Sequence, residues 1–421
     1  QTEGIPNGRK RFPKQLMTAL EENIALNTSN SCLVYPPPKK KKKGMFKMMS
    51  MPGSSPKKAK QEGGEPPEMI GNTIDGALLW MLTKCMKYEK DYYVKIRNAA
   101  AGDGSGAALG YGVTVVKRVL FSSRTRRSAV LVRYNQNGVH RLYIKGGGEI
   151  IVDSCEFYWD NKGEPEAMDD AKKEYFKAQL VGRMGRGSYS PIGLAHVDFD
   201  GKTNSLPEGD LADVVTEEWV YAQRNLTLEA LVGIKDPLHP DVIKSIEHCL
   251  KAGIMVRLVT NRCLETAKAI AKRCNILTSD ENAFLGDAFR ALPLPGVERV
   301  LPSLQVLGRA TGRDKEIIIS RLNGKGLPKS KAQWFKYHGI EDQKEWDQQA
   351  SLLLPGYYDE WQNRNPTGGQ VVAMTAGHKM SEIGAMKLCD VSLGYGKSGN
   401  NMLLNASDMV LLDDSFSSVF R

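Results

Sequence analysis

The stretch Asn225–Leu277 constrains the fold more than any other, because it alternates strand and helix signals within one short span. Leu226–Ile234 is an apolar run with the length of a buried strand. The breaker Asp236-Pro237 follows, and Pro240 stands where a first-turn proline is tolerated. Val242, Ile243, Ile246, Cys249 and Leu250 then fall on one helical face, and Gly253 supplies a left-handed terminus. Ile254–Val259 reads as the next strand and Leu264–Arg273 as the next helix. Strands separated by single helices predict a parallel sheet with right-handed crossovers. Ligands of such sheets lie beyond the carboxyl ends of the strands, which puts Thr260-Asn261-Arg262-Cys263 where chemistry is expected.

A chain of 421 residues, 41% hydrophobic and 25% charged, has room for two or three buried cores. No run of eighteen apolar residues occurs, so neither a membrane span nor a secretory signal is expected, and the chain itself reads as cytosolic or peripheral. The seven cysteines are scattered without a CxxC pair, which fits a reducing compartment and predicts no metal site. The net charge of +10 is local, since residues 1–60 carry thirteen Lys or Arg against three Glu. Overlapping them is a basic Pro/Lys-rich linker, residues 35–68, too polar to form a core. Its lysines, Lys39 to Lys60, suit an anionic membrane surface or a solvated tail. No aromatics interleave with them, which argues against specific nucleic-acid binding.

Further along, Val113–Phe121, Ala129–Tyr134 and Val139–Lys145 alternate apolar and polar residues, with Asn137-Gly138 as a turn. They predict an antiparallel sheet. The glycine-rich Ala99–Gly112 precedes a strand instead of following one, so it reads as an insert and not as a phosphate loop. Asp198 and Asp200 in DFDG have the look of a phosphatase nucleophile pair, but Lys202 interrupts the usual spacing. Leu304–Leu307 reads as a strand and Asp314–Leu322 as a helix. Residues 324–368 form a charged, Trp-rich insertion without periodicity.

Several of these segments resemble P-type ion pumps, nearest to calcium-transporting ATPases of the plasma-membrane type. IGNTIDGALLW resembles the pumps' GN-T-E-ALL helix, LFSSRTRRS their adenine-stacking segment, and IKGGGEIIVDSC their KGAxE motif. QVLGRATGRDKE is similar to LARSSPTDK, and the turn TNRC stands where the pumps have TGDN. By that resemblance Asp75 lies toward the adenine, Phe121 stacks on it, and Arg126 and Lys145 line the same pocket. Thr260, Arg309 and Lys315 would complete the nucleotide-binding set, with a surface lysine at a helix start as the other reading of Lys315. The resemblance also marks losses. No DKTGT occurs, no Asp precedes Asp75, and AMTAGHKMSE replaces the pumps' magnesium-holding GDGxND. Gly377 or His378 stands for the first of those acids, and Ser381 or Glu382 for the second.

The resulting expectation is an α/β chain with a haloacid-dehalogenase-like doubly wound parallel sheet and an antiparallel-sheet nucleotide-binding domain. Residues 1–34 would be a degenerate stub of the pump membrane and phosphorylation region, and 69–225 the nucleotide-binding domain. Residues 226–421 would be the phosphorylation-type domain, carrying the insertion 324–368. The implied ligand is ATP; magnesium serves the family, but its ligands are not kept. Other pump segments would be partners if the chain is part of a longer one. A non-catalytic interaction module, and a phosphatase using Asp198, are the alternatives.

Overall fold

The computed structural model describes residues 12–29, 31–35, 68–84, 92–100, 112–122, 124–160, 162–201, 204–235, 238–239, 241–330, 332–333, 357–375, 379–397 and 399–420. The Asp236-Pro237 breaker, Pro240, the lysines from Lys39 to Lys60, most of the glycine-rich insert, the 334–356 stretch, Gly377 and His378 lie outside them. The chain divides into two units, residues 1–181 with 191–234, and residues 182–190 with 235–421. Among the described residues no helix is long and apolar enough to cross a membrane.

The first unit is built on a large sheet. A short antiparallel pair, β1 (Leu33–Tyr35) and β2 (Glu68–Ile70), stands apart from it. The sheet comprises β3 (Val113–Val119), β4 (Arg127–Tyr134), β5 (His140–Gly147), β6 (Cys155–Trp159), β7 (Pro165–Ala167), β8 (Tyr189–Phe199) and β9 (Leu226–Lys235). Their order is β3-β4-β5-β8-β9-β6-β7. The expected antiparallel strands are present, and Gly138 takes φ +71° in the turn between β4 and β5. Successive side chains of a strand face opposite sides, so β4 serves two cores. Val130 and Val132 pack with the helices Lys14–Leu26, Thr73–Lys84 and Tyr92–Ala100, whereas Ala129 and Leu131 pack with Ile151, Val152 and Val220.

Two expectations need correction here. Leu226–Ile234 is a strand, but it lies in this sheet, parallel to β6, instead of opening the second domain's parallel sheet. An apolar run buried on both faces fits a central strand of any covered sheet, so its composition did not name its partners. Residues 14–34, part of the 1–34 segment expected to be a stub, pack into the first core through Met17, Leu20, Ile24 and Val34. The helix Lys14–Leu26 also buries Glu21, Glu22 and Asn23, which a sequence reading takes for a solvated face. Each finds a partner. Glu22 accepts hydrogen bonds from the Tyr134 and Tyr143 hydroxyls at 2.7 and 2.6 Å, Glu21 from Tyr92 at 2.7 Å, and Asn23 donates to Glu229 at 2.9 Å. Two arginines close the far end of this helix: Arg97 donates to Ala25 O at 2.9 Å and Arg118 to Leu26 O at 3.1 Å. Cations suit the carbonyl end of a helix, where partial negative charge collects.

The second unit carries two three-stranded parallel sheets. In the first, β10 (Leu258–Val259) and β11 (Ala283–Leu285) flank β12 (Val306–Gly308). In the other, β14 (Val391–Tyr395) lies between β13 (Ala373–Thr375) and β15 (Met409–Leu411). The helices Val242–Lys251 and Leu264–Arg273 form as expected, and Gly253 takes φ +75°. The strand expected over Ile254–Val259 shrinks to its last two residues, with Ile254 and Met255 about half exposed. The helix Gly312–Asn323 begins with a capping box between Thr311 and Asp314. Its buried Arg321 is held by Glu298 and Glu360.

Candidate functional site

In the first unit, strand register brings the predicted nucleotide residues toward one end of the sheet. Phe121 lies just past the end of β3, Arg126 just before β4, and Lys145 near the end of β5, opposite Ser128 of β4. The Ser122 amide donates to Arg127 O at 3.2 Å, which ties the Phe121 segment to the start of β4. Phe121 is 56% exposed, and Leu120 beside it is 73% exposed. Arg126 adopts φ +54°, and its carbonyl lies against β5, accepting from the Gly147 amide at 3.3 Å. A Cβ on Gly146 would stand 2.5 Å from that same oxygen, so glycine is required at this crossing.

Lys145 has an internal role. Its ammonium donates to Asp75 at 2.6 Å and to the Thr28 hydroxyl at 3.2 Å, and both charged residues are buried. Burial lowers the Lys145 pKa, and the Asp75 carboxylate opposes that shift. Asp75 thus faces Lys145, at the start of the helix Thr73–Lys84. Sequence reasoning missed the neighbours that complete this polar corner: Thr28, Asn27, Arg97 and Arg118. Asn27 donates to Ser128 O at 3.2 Å, and Arg97 also donates to Cys32 O at 2.9 Å. The helical period of Leu16, Leu20 and Ile24 is a signal for Asn27 and Thr28 at the end of that helix, whereas Arg97 and Arg118 carry no local sign of it.

Asp198 lies on β8, opposite Arg141 of β5. Arg141 grips it with two hydrogen bonds of 2.5 and 2.7 Å, and stacks over Tyr134 and Tyr143. That is a cross-strand ion pair on an antiparallel sheet, not the carboxyl end of a parallel strand.

In the second unit, Thr260 and Arg309 follow β10 and β12, and backbone hydrogen bonds lace the two turns together. The Thr260 amide donates to Leu307 O at 2.9 Å, Ala310 to Thr260 O at 2.8 Å, and Arg309 to Arg262 O at 2.8 Å. Arg309 takes φ +53°. Arg262 turns toward Ser190, with 2.7 Å between Nη1 and Oγ. Lys315, in the first turn of the helix Gly312–Asn323, forms an ion pair with Glu382. The two groups are nearly enclosed, with side chains 16% and 10% exposed. Lys379 lies close enough to matter. Its pKa is lowered by burial, with Glu382 opposing and Lys315 adding to the shift. The backbone approach here is tight, since a Cβ on Gly312 would collide with Ser381 O.

The chemistry this arrangement offers is limited. The Thr260–Cys263 turn carries no carboxylate, and Glu382 is engaged by an ammonium. Among the described residues no group of three His, Cys, Asp or Glu side chains could hold a metal ion.

Comparison with known proteins bears on both units. Residues 52–241 match the family model of the P-type ATPase cytoplasmic domain N. The chain is 34% identical over 307 residues to the calcium-transporting ATPase PAT1 of Dictyostelium discoideum, which covers 73% of this chain and 22% of that protein. It is 28% identical over 319 residues to calcium-transporting ATPase 2 of Saccharomyces cerevisiae, 72% of this chain and 23% of that one. It is also 28% identical over 372 residues to human plasma membrane calcium-transporting ATPase 4, 86% of this chain and 25% of that one. The match thus spans about a quarter of the length of these relatives. The chain is a relative of the P-type calcium-transporting ATPases, as its motifs implied, and carries a match to their cytoplasmic domain N.

Proposed function

We propose that this chain is a nucleotide-binding pump core that holds ATP and forms no phosphoenzyme by itself. The observation that carries this reading is the register that gathers Phe121, Arg126 and Lys145 toward one sheet end, with Asp75 joined to them by its ion pair with Lys145, inside the region matching domain N. The exposed Phe121 ring offers a stacking face for the base, and Arg126 offers a cation beside it. Lys145 and Asp75 act differently from the expectation of direct ligand contacts, as an enclosed ion pair. In the second unit, the two parallel sheets are read as halves of a haloacid-dehalogenase-like doubly wound frame. Thr260, Arg309 and Lys315 keep positions that resemble a phosphoryl site.

Transfer of the γ-phosphoryl group to protein requires a nucleophile in line and positive charge to offset the developing anion. The sequence contains no DKTGT, and the Lys315 ammonium is committed to Glu382. Calcium transport, magnesium use and other pump segments as partners remain attributes of the relatives, and the lysines from Lys39 to Lys60 are proposed to meet anionic membrane. The Arg141 clamp on Asp198 supports a structural part for DFDG over a phosphatase. The test is incubation with γ-labelled ATP and magnesium followed by acid quenching. No hydroxylamine-sensitive label is expected on the chain. Such a label would refute the reading.

A further inference from the structure

The loop that carries Phe121 is fastened at a second point. Arg124, on the same loop, donates to Glu218 at 2.5 Å and lies 3.6 Å from Glu217. Both glutamates belong to the helix Glu217–Ala222, whose first turn Thr216 caps by accepting from the Trp219 amide. Glu217 Oε1 is buried and has no hydrogen-bond partner, so Arg124 is the cation that offsets it. Next to this contact Arg127, at the start of β4, donates to Tyr221 O at 3.2 Å and stacks over the Tyr221 ring at 5.0 Å. The loop is thus held on one side by Gly146 and Gly147 of β5, through Arg126 O, and on the other by the helix Glu217–Ala222.

We propose that Arg124 with Glu217 and Glu218 forms a latch that positions Phe121 for the nucleotide base. The proposal rests on the reading of Phe121 as the stacking face. Leu120 and Phe121 are largely bare, so nothing in the core fixes the ring, and its placement depends on where the loop is tied. Of these ties, the Ser122 and Gly147 contacts are made by backbone and the Arg124 contact by a hydrogen-bonded pair of charged side chains. Arg124 and Glu218 are two-thirds exposed, so salt weakens their attraction. The latch is therefore a device whose strength follows ionic strength, and the order of the stacking face follows it. None of the three latch residues touches the base in this account. They are positioning residues.

The experiment uses the full chain, ATP as the probe, and amide hydrogen exchange as an independent readout. Arg124→Ala is expected to weaken ATP binding about two- to fivefold at low salt and to speed exchange of the Ser122 and Arg126 amides. Arg124→Lys, which keeps a cation beside both glutamates, should retain most of both the affinity and the exchange protection. The gap between wild type and Arg124→Ala should close as salt is raised to about 0.5 M, where charges are screened within a few ångströms. Wild-type affinity and exchange in Arg124→Ala would overturn the latch, and so would faster exchange with unchanged affinity. Failure of the nucleotide reading looks different: wild type and Phe121→Ala would then both leave ATP unbound.

Discussion

Replacing Lys145 by Met removes one half of a buried ion pair and leaves the Asp75 carboxylate alone. The two groups are 2.6 Å apart, with side chains 7% and 13% exposed, and only the Thr28 hydroxyl adds to the pair from the lysine side. Breaking a buried pair by removing one partner costs about 3–5 kcal/mol, because the survivor keeps its desolvation penalty. For a domain of this size each kcal/mol shifts the melting temperature by about 2–4 °C, so Lys145→Met should lower it by about 6–20 °C. Arg97 and Arg118 stand in the same corner, and although they hold the Ala25, Leu26 and Cys32 carbonyls, Arg97 Nη2 is buried without a hydrogen-bond partner and Asp75 acts on its charge, so partial compensation puts the loss toward the lower end of that range. The double variant Asp75→Leu with Lys145→Met removes both charges and should recover most of the loss, since apolar replacements of buried pairs are often neutral. Thermal unfolding followed by circular dichroism, with ATP absent, separates these effects from binding. If Lys145→Met unfolds within about 1 kcal/mol of wild type, the pair does not hold this corner together and Lys145 is free to serve a ligand.

Two further outcomes concern the second unit. Gly312→Ala places a methyl against Ser381 O, well inside van der Waals contact, so the helix Gly312–Asn323 or the 379–382 turn must move. A loss of about 1–3 kcal/mol in denaturant unfolding is expected, and an unchanged midpoint would contradict the close approach. Asp408 accepts hydrogen bonds from the Ser392 hydroxyl and amide, each at 2.7 Å, and these hold its pKa below the usual carboxylate range. A carboxylate with a depressed folded pKa adds stability above its unfolded pKa of about 4, and that gain is lost as pH falls through the folded value. The stability gap between wild type and Asp408→Asn should therefore be constant near neutrality and close below about pH 4. A gap independent of pH would show that the ionised form does not matter.

The sequence was most legible where one period dominated. The helices Val242–Lys251 and Leu264–Arg273 followed from apolar spacing and from Gly253, and β4 and β5 from two short apolar runs either side of the Asn137-Gly138 turn. It was least legible where burial was polar. Glu21, Glu22 and Asn23 carry the signature of a solvated helix face, yet tyrosines and Glu229, more than sixty residues away in the chain, satisfy them. The same limit applies to the site. Lys145 and Asp75 were found as separate motif positions, but local sequence holds no sign that one neutralises the other. The Lys315–Glu382 pair is of this kind too, spanning two loops that only tertiary packing brings together. Assignment of Leu226–Lys235 to a sheet failed for a related reason, since its apolar face fits either core and β6 took it.

Titration of the chain with ATP in a calorimeter, with and without magnesium, tests the central claim most directly. Stacking of a base on an aromatic ring contributes about 1–3 kcal/mol, so Phe121→Ala should weaken binding about five- to a hundredfold. Because no described group fits the metal, magnesium should change the wild-type affinity little. The account predicts a saturable heat from wild type, reduced in Phe121→Ala and nearly the same without magnesium. No heat at millimolar ATP, or equal heat from both proteins, would contradict it.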